Sequence, residues 1–216
     1  MGYPILRLWE DILPAGARVA LPPLPRMIFV VHGALTIADR SLRDGETWHG
    51  ECALEARAGQ SGVSTWRWEL TSELKAPAAP PGVSSREKLS AELRTVPDGD
   101  LLLRGDSVAF PPGGCAYPHR HQGPGIRCLL EGGIRVDTHG ASTSYGPGAA
   151  WYESGPDPVF AQAAADRASR FIRVMVLPRT LLGKSSIQYV NHEDESKPRA
   201  QQYKIFADFP IARPIG

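Results

Sequence analysis

The sequence predicts an all-β protein that consists of two similar domains in tandem, joined by a linker with one short helix. The first observation is the density of turn residues, because the chain has 22 Gly and 20 Pro among 216 residues. Turn residues at this density divide a chain into the short segments that are typical of strands. The second observation is an internal repeat of about 100 residues, which is too long for a solenoid unit and indicates two domains.

The repeat is visible when the two halves of the chain are aligned. Residues 29–37, FVVHGALTI, align with residues 128–136, CLLEGGIRV, at an offset of 99 residues. Residues 45–49 align with residues 148–152 at an offset of 103, so the additional residues fall in one hairpin loop. Loops tolerate such insertions, and the repeat therefore predicts two related β-domains.

These features divide the chain into a first β-domain, a linker, a second β-domain and a C-terminal tail, placed at residues 1–78, 79–97, 98–182 and 183–216. Within the linker, Ser84 and Glu87 fit the capping box that begins a helix. Leu89 and Leu93 then fall on one helical face, so a helix is predicted near residues 85–95. The tail contains the apolar stretch YKIFADFPIARPI, which we expect to pack on a barrel or on a partner subunit.

Composition excludes several classes of function. The 24 Lys and Arg residues balance 23 Asp and Glu residues, which argues against nucleic acid as a partner. The apolar run Met27–Val31 is far shorter than the about 20 residues of a membrane span, so no membrane partner is expected. The three Cys residues show no CxxC spacing, and the start MGYPILRLWEDILP is unlike a secretory signal. A cytoplasmic location is the prediction that fits both features.

The second half contains a series of short motifs around turns and strands. In order, they are Pro111-Pro112-Gly113, His119-Arg120-His121, Leu129-Leu130-Glu131-Gly132, Gly146-Pro147-Gly148 and Ser154-Gly155-Pro156. This frame resembles the two motifs of the cupin superfamily, whose members are antiparallel jelly-roll barrels. The resemblance covers residues 100–178 and extends to residues 17–72 through the repeat. It implies a bicupin, with two tandem double-stranded β-helix barrels.

The resemblance also implies a metal site in the second barrel. His119 and His121 are alternate residues of a strand, so both imidazoles face one point, and imidazole is a good ligand for transition metals. Two features depart from the family pattern, since Gly125 stands where the glutamate of the first motif is expected and no histidine lies near Val159. Glu153 is the candidate third ligand, because two histidines and one carboxylate form the facial triad of non-haem iron enzymes. Iron is the first choice of metal, with Zn, Ni and Mn as alternatives, and the first barrel, which has no His-x-His, is expected to be degenerate.

Three residues are candidates for catalysis. Arg127 is expected to face the barrel interior, where it would bind an anionic substrate or form a salt bridge, for instance with Glu153. Glu153 is either a catalytic carboxylate and metal ligand or a rim residue. Tyr117 has the same parity as His119 and His121, so it is predicted to line the same cavity and donate a proton or hydrogen bond.

Two classes of function follow from these residues. The first is a metal-dependent enzyme, of dioxygenase, lyase or isomerase type, that acts on a small anionic organic molecule. The alternative is a non-catalytic, ligand-binding or regulatory cupin without metal, which the two missing family ligands favour. A second copy of the chain is the protein partner considered, as a homodimer.

Overall fold

The computed structural model describes residues 2–75, 78–79 and 81–213. This part of the chain contains seventeen strands and two short 3-10 helices, Arg179–Leu181 and His192–Ser196. None of the helices in the described ranges is long and apolar enough to cross a membrane. The chain divides into a first unit, residues 1–92 with 211–216, and a second unit, residues 93–210.

The first unit is one antiparallel sheet of seven strands. They are β1 Ile5–Leu13, β2 Arg18–Leu21, β3 Arg26–Ile37, β4 Arg40–Arg43, β5 Thr47–Gly50, β6 Leu54–Thr71 and β7 Ser84–Glu92. Their order is β4-β3-β6-β1-β7, with β2 paired to β6 and β5 paired to β3. Alternate side chains of these strands form an apolar core that includes Ile28, Val30 and Leu35 of β3 and Val63 of β6.

The second unit contains two five-stranded sheets. Its strands are β8 Leu101–Phe110, β9 Cys115–His121, β10 Gly125–Glu131, β11 Ile134–Thr138, β12 Ala141–Tyr145, β13 Ala150–Glu153, β14 Val159–Ala163, β15 Ser169–Pro178, β16 Ile187–Tyr189 and β17 Gln202–Ile211. The sheet orders are β13-β10-β15-β8-β17 and β12-β11-β14-β9-β16. The path β10-β15-β8-β17 repeats the path β3-β6-β1-β7 of the first unit, as two related β-domains require. In each unit, therefore, the last long strand returns to pair with the first.

The helix predicted near residues 85–95 was wrong, because Ser84–Glu92 is strand β7. It pairs antiparallel with β1, and a bulge beside Leu8 shifts the register. Side chains also fix the strand, since Arg86 and Lys88 both bind the carboxylate of Glu10. A backbone ladder with β1 and these cross-strand contacts outweigh the local helical signal, which is worth only a few tenths of a kcal/mol per residue.

The interior of the first unit holds a network of buried ion pairs. Arg67 binds Asp11 through Nε at 2.7 Å and also pairs with Glu69. Glu69 in turn accepts a hydrogen bond from Arg26 at 2.9 Å. Two guanidinium groups and two carboxylates balance each other, which buried charges require.

Candidate functional site

Four charged side chains form a row across the first sheet of the second unit. Arg127 of β10 lies directly opposite Arg173 of β15, and Arg173 lies opposite Asp106 of β8. Glu153 of β13 is two residues beyond Trp151, the register partner of Arg127. Directly opposed residues share a face, so the row reads Glu153, Arg127, Arg173, Asp106. We call this row, together with His119 and His121, the polar cluster.

Each guanidinium in the row has its own carboxylate. Arg173 binds Asp106 with two hydrogen bonds, from Nε at 2.9 Å and from Nη2 at 2.8 Å. Arg127 Nη2 lies 2.6 Å from Glu153 Oε2, and the other carboxylate oxygen accepts a hydrogen bond from Trp151 Nε1 at 2.9 Å. All four side chains of the row are buried, which makes charge balance necessary.

The two arginines respond differently to burial. Burial lowers the pKa of Arg127 to about 10, although the Glu153 carboxylate opposes the shift and Arg173 adds to it. Burial would also lower the pKa of Arg173, but the Asp106 carboxylate outweighs it and the pKa is raised. Both side chains therefore carry a positive charge at neutral pH, and two guanidinium groups stand side by side in the barrel. Like charges in directly opposed positions repel, which favours a bound anion in front of them.

The hydrogen bonds of the two histidines determine their tautomers. His119 Nδ1 lies 2.7 Å from the carbonyl oxygen of Tyr117, which can only accept, so Nδ1 carries the proton. His121 Nε2 lies 3.2 Å from Nη1 of Arg173, which can only donate, so its proton is also on Nδ1, facing Ser186 Oγ. Burial lowers the pKa of His119, and burial with the charge of Arg173 lowers the pKa of His121 well below its usual value. Both imidazoles are therefore neutral.

Two spaces adjoin the polar cluster. An inner recess of about 20 Å³ lies between the apolar core and the cluster, and it has room for about one water-sized group. An outer cavity of about 270 Å³ opens beyond it, slightly smaller than the about 300–1,000 Å³ of pockets for drug-sized ligands. His121, Arg173 and Tyr203 line both spaces. The site therefore suits a small molecule that reaches these side chains.

A glycine explains the missing glutamate of the first motif. A Cβ atom at Gly125 would lie 2.4 Å from the carbonyl oxygen of Val174 and 2.8 Å from Met175 Cγ. No side chain fits at this distance from the backbone of β15, so a glutamate ligand cannot stand at this position. Two residues further along the same ladder, Arg127 lies opposite Arg173.

The arrangement of donors does not fit a metal ion. The described ranges contain no group of three or more His, Cys, Asp or Glu residues that could hold one. The free nitrogen of His121 accepts a hydrogen bond from Arg173, so the guanidinium lies where a metal on this nitrogen would lie. Glu153 Oε2 is 3.9 Å from His121 Nε2 but only 2.6 Å from the Arg127 guanidinium. Two fixed positive charges thus oppose a cation at this point.

Four of the residues that the sequence analysis selected lie in this cluster. They are His119, His121, Arg127 and Glu153. Arg127 was expected either to bind an anion or to form a salt bridge with Glu153. The structure contains the salt bridge.

Tyr117 does not share the face of the two histidines, which corrects the expectation from parity. Strand β14 pairs Val159 with His119 but Ala161 with Ala116, so β9 has one extra residue between these pairs. Such a bulge reverses the alternation, and Ala116 lines the recess in place of Tyr117. The ring of Tyr117 instead lies 4.9 Å from Lys197 Nζ.

Arg173 and Asp106 were not among the predicted site residues. Arg173 is the one charged residue of the stretch FIRVMV, and Asp106 stands with Arg104 in the largely apolar stretch LLLRGDSVAF. Charged side chains inside buried strands are rare unless they are paired, and this signal could have marked both residues. Their partnership with each other depends on strand register and could not be read from the sequence.

Comparisons with known proteins support the fold. No family model and no curated protein sequence matches this chain. A mutant of the Bacillus subtilis oxalate decarboxylase superposes with a TM-score of 0.63 at 11% identity, covering 89% of this chain and 73% of its own. A Lactobacillus farciminis oxalate decarboxylase in complex with formate gives the same score and identity, covering 89% of this chain and 82% of its own.

A third neighbour is AerE from Microcystis aeruginosa, with a TM-score of 0.58 at 13% identity, covering 81% of this chain and 88% of its own. Identities this low show a shared fold and nothing beyond it. The register, the sheet orders and these neighbours agree on one architecture. The chain has the cupin-type fold, with tandem jelly-roll barrels.

Proposed function

We propose that the second unit binds a small organic carboxylate without a metal ion, and that Arg173 is its anchor. The observation that carries the proposal is the use of the five N–H groups of Arg173. Asp106 accepts hydrogen bonds from Nε–H and from one N–H of Nη2, and His121 accepts one from Nη1. One N–H on each terminal nitrogen has no partner in the described part of the chain. Because this side chain is buried and lines both spaces, a carboxylate in the cavity would satisfy both groups.

Other features of the cluster support an anionic ligand. Arg127 places a second buried guanidinium directly opposite Arg173, and both line the inner recess. His119 Nε2 carries no proton and can accept a hydrogen bond from a ligand hydroxyl. The oxalate decarboxylases are named for a reaction of a small carboxylate, and one of them was solved with formate. At their level of identity this adds little, so the proposal depends on Arg173.

The experiment measures ligand stabilisation of the full chain. Acetate, pyruvate, benzoate and glutarate, with chloride as the reference, are added to protein that has been treated with EDTA. At least one carboxylate is expected to raise the melting temperature, since a ligand at 100 times its Kd stabilises by about 2.7 kcal/mol. Arg173→Lys keeps the charge beside Asp106 but loses the planar guanidinium, so it should remove most of this effect.

Two results would overturn the proposal. One is the absence of stabilisation by every carboxylate in the wild-type protein. The other is an Arg173→Lys protein that responds as the wild type does. Stabilisation that disappears with EDTA and returns with a transition metal would instead select the metal-dependent function.

One observation favours the metal-dependent function. Glu153 Oε2 and His121 Nε2 are 3.9 Å apart, and His119 Nε2 is free to ligate, so a movement of Arg173 away from His121 would leave both imidazoles available as ligands. For a metal enzyme, elemental analysis would find stoichiometric metal that His119→Ala and His121→Ala each remove. Unchanged metal content in Glu153→Gln would then assign Glu153 to the salt bridge. His49→Ala, in the first unit, is the control.

A further inference from the structure

The mouth of the outer cavity is formed by a segment between the long strands β15 and β17. We call residues 183–201 the mouth segment. Its strand β16 pairs with β9, so that Ile187 lies opposite His121. The stretch from Gly183 to Ile187, and Arg199, line the outer cavity together with Tyr203 and Ile205. The mouth segment therefore adds side chains that the barrel itself does not provide.

Two of these side chains carry positive charges without a counterion. Lys184 and Arg199 both line the cavity and are exposed, and no carboxylate in the described ranges forms an ion pair with either. The buried cations of the same cavity differ, because Arg104 is bound to Asp208 at 3.0 Å and Arg173 to Asp106. The excess positive charge is thus confined to the mouth.

The nearby acidic residues do not neutralise the charges of Lys184 and Arg199. Those of the mouth segment lie in the 3-10 helix His192–Ser196, which does not line the cavity, while Asp208 and Asp106 are bound to Arg104 and Arg173. Asp194 pairs with Lys197 at 2.6 Å, and Glu193 and Glu195 lie on the same helix, outside the lining of the cavity. The guanidinium of Arg199 lies 5.6 Å from the ring centre of Tyr189, a contact that holds it at the mouth.

We propose that the ligand is a small organic dianion, with two anionic groups separated by a short apolar linker. This inference rests on the proposed function, since it takes the inner group to be the carboxylate on Arg173. The outer group binds Lys184 and Arg199, and Ile187 and Ile205 contact the linker between the two. The outer group is a second carboxylate or a phosphate-type group, because both fit an ammonium beside a guanidinium.

Matched ligands test the second charge directly. Isothermal titration of the full chain compares succinate, glutarate and adipate with their monoamides, which keep the size but lose one charge. 3-Phosphonopropionate is compared with succinate, which separates a phosphate-type group from a carboxylate. At least one dianion should bind ten-fold or more tightly than its monoanionic partner. This preference should decrease with added NaCl, because exposed charges are screened.

Variants at the mouth assign the preference to the two cations. Lys184→Gln/Arg199→Gln should reduce the dianion preference to less than about three-fold, with monoamide binding unchanged. Arg120→Gln is the control for loss of a positive charge outside the site, because Arg120 is exposed on β9 and lines neither space. The inference is overturned if the wild type binds monoamides and dianions equally, or if the double variant keeps the preference. In both cases the proposed function survives, because it fails on different results: no carboxylate stabilises the wild type, or Arg173→Lys responds to carboxylates as the wild type does.

Discussion

The pair of Arg127 and Glu153 gives a measurable prediction about the charge balance of the site. In Glu153→Gln the amide oxygen can still accept the hydrogen bond from Trp151, while the negative charge beside Arg127 is lost. The two side chains of the ion pair are 1% and 8% exposed, so the guanidinium would remain buried and unpaired. Breaking a buried pair in this way costs about 3–5 kcal/mol. For a unit of about 120 residues that corresponds to a melting temperature lower by about 10–20 °C.

Urea unfolding and calorimetry of the wild type, Arg127→Met, Glu153→Gln and the double variant test this value. Arg127→Met/Glu153→Gln should be more stable than the sum of the two single changes by about 2 kcal/mol or more, because no charge is left unpaired. The matched control is Glu131→Gln, which breaks the Arg–Glu pair between β10 and β15 at Arg170. That pair has a similar distance, 2.9 Å, but its side chains are 42% and 57% exposed. It should cost less than about 1 kcal/mol.

The stabilities of Glu153→Gln and Glu131→Gln are then compared. If Glu153→Gln costs no more than Glu131→Gln, Arg127 is not held as a buried charge by Glu153. The description of the row as two balanced ion pairs would then be wrong.

Two further predictions concern the histidines and the close approach of two strands. Because the folded-state pKa values of His119 and His121 lie below about 6.5, the unfolded chain binds more protons under that pH. The free energy of unfolding should therefore decrease as the pH falls from about 6.5 to 5, by up to about 1.4 kcal/mol per pH unit for each histidine. Urea titrations measure this slope, and His119→Gln/His121→Gln should flatten it; an equally steep slope in that variant would contradict the assignment. Gly125→Ala should cost about 1–3 kcal/mol by overpacking, whereas Gly146→Ala, with no atom within 4 Å of the new Cβ, should be neutral. Equal melting temperatures for these two variants would refute the close approach.

Part of the site was predictable because it depends on local periodicity. His119 and His121 occupy alternate positions of one strand, and period-two alternation puts both imidazoles on one face without knowledge of any other strand. The same rule failed for Tyr117, which is only two residues before His119. The bulge that reverses the alternation is created by pairing with β14, more than 35 residues away in the chain. Local alternation is therefore reliable only while the ladder stays regular.

The sequence by itself determined the β character of the chain, its division into two related halves and the His-x-His strand. These features are local or repeated, so turn residues, side-chain alternation and self-similarity report them directly. Only the tertiary structure decided that Ser84–Glu92 is a strand and that Arg173 stands between Asp106 and His121. The physical reason is that the partners in each case come from distant strands. Strand register selects which charges meet, and register arises from the packing of the whole barrel.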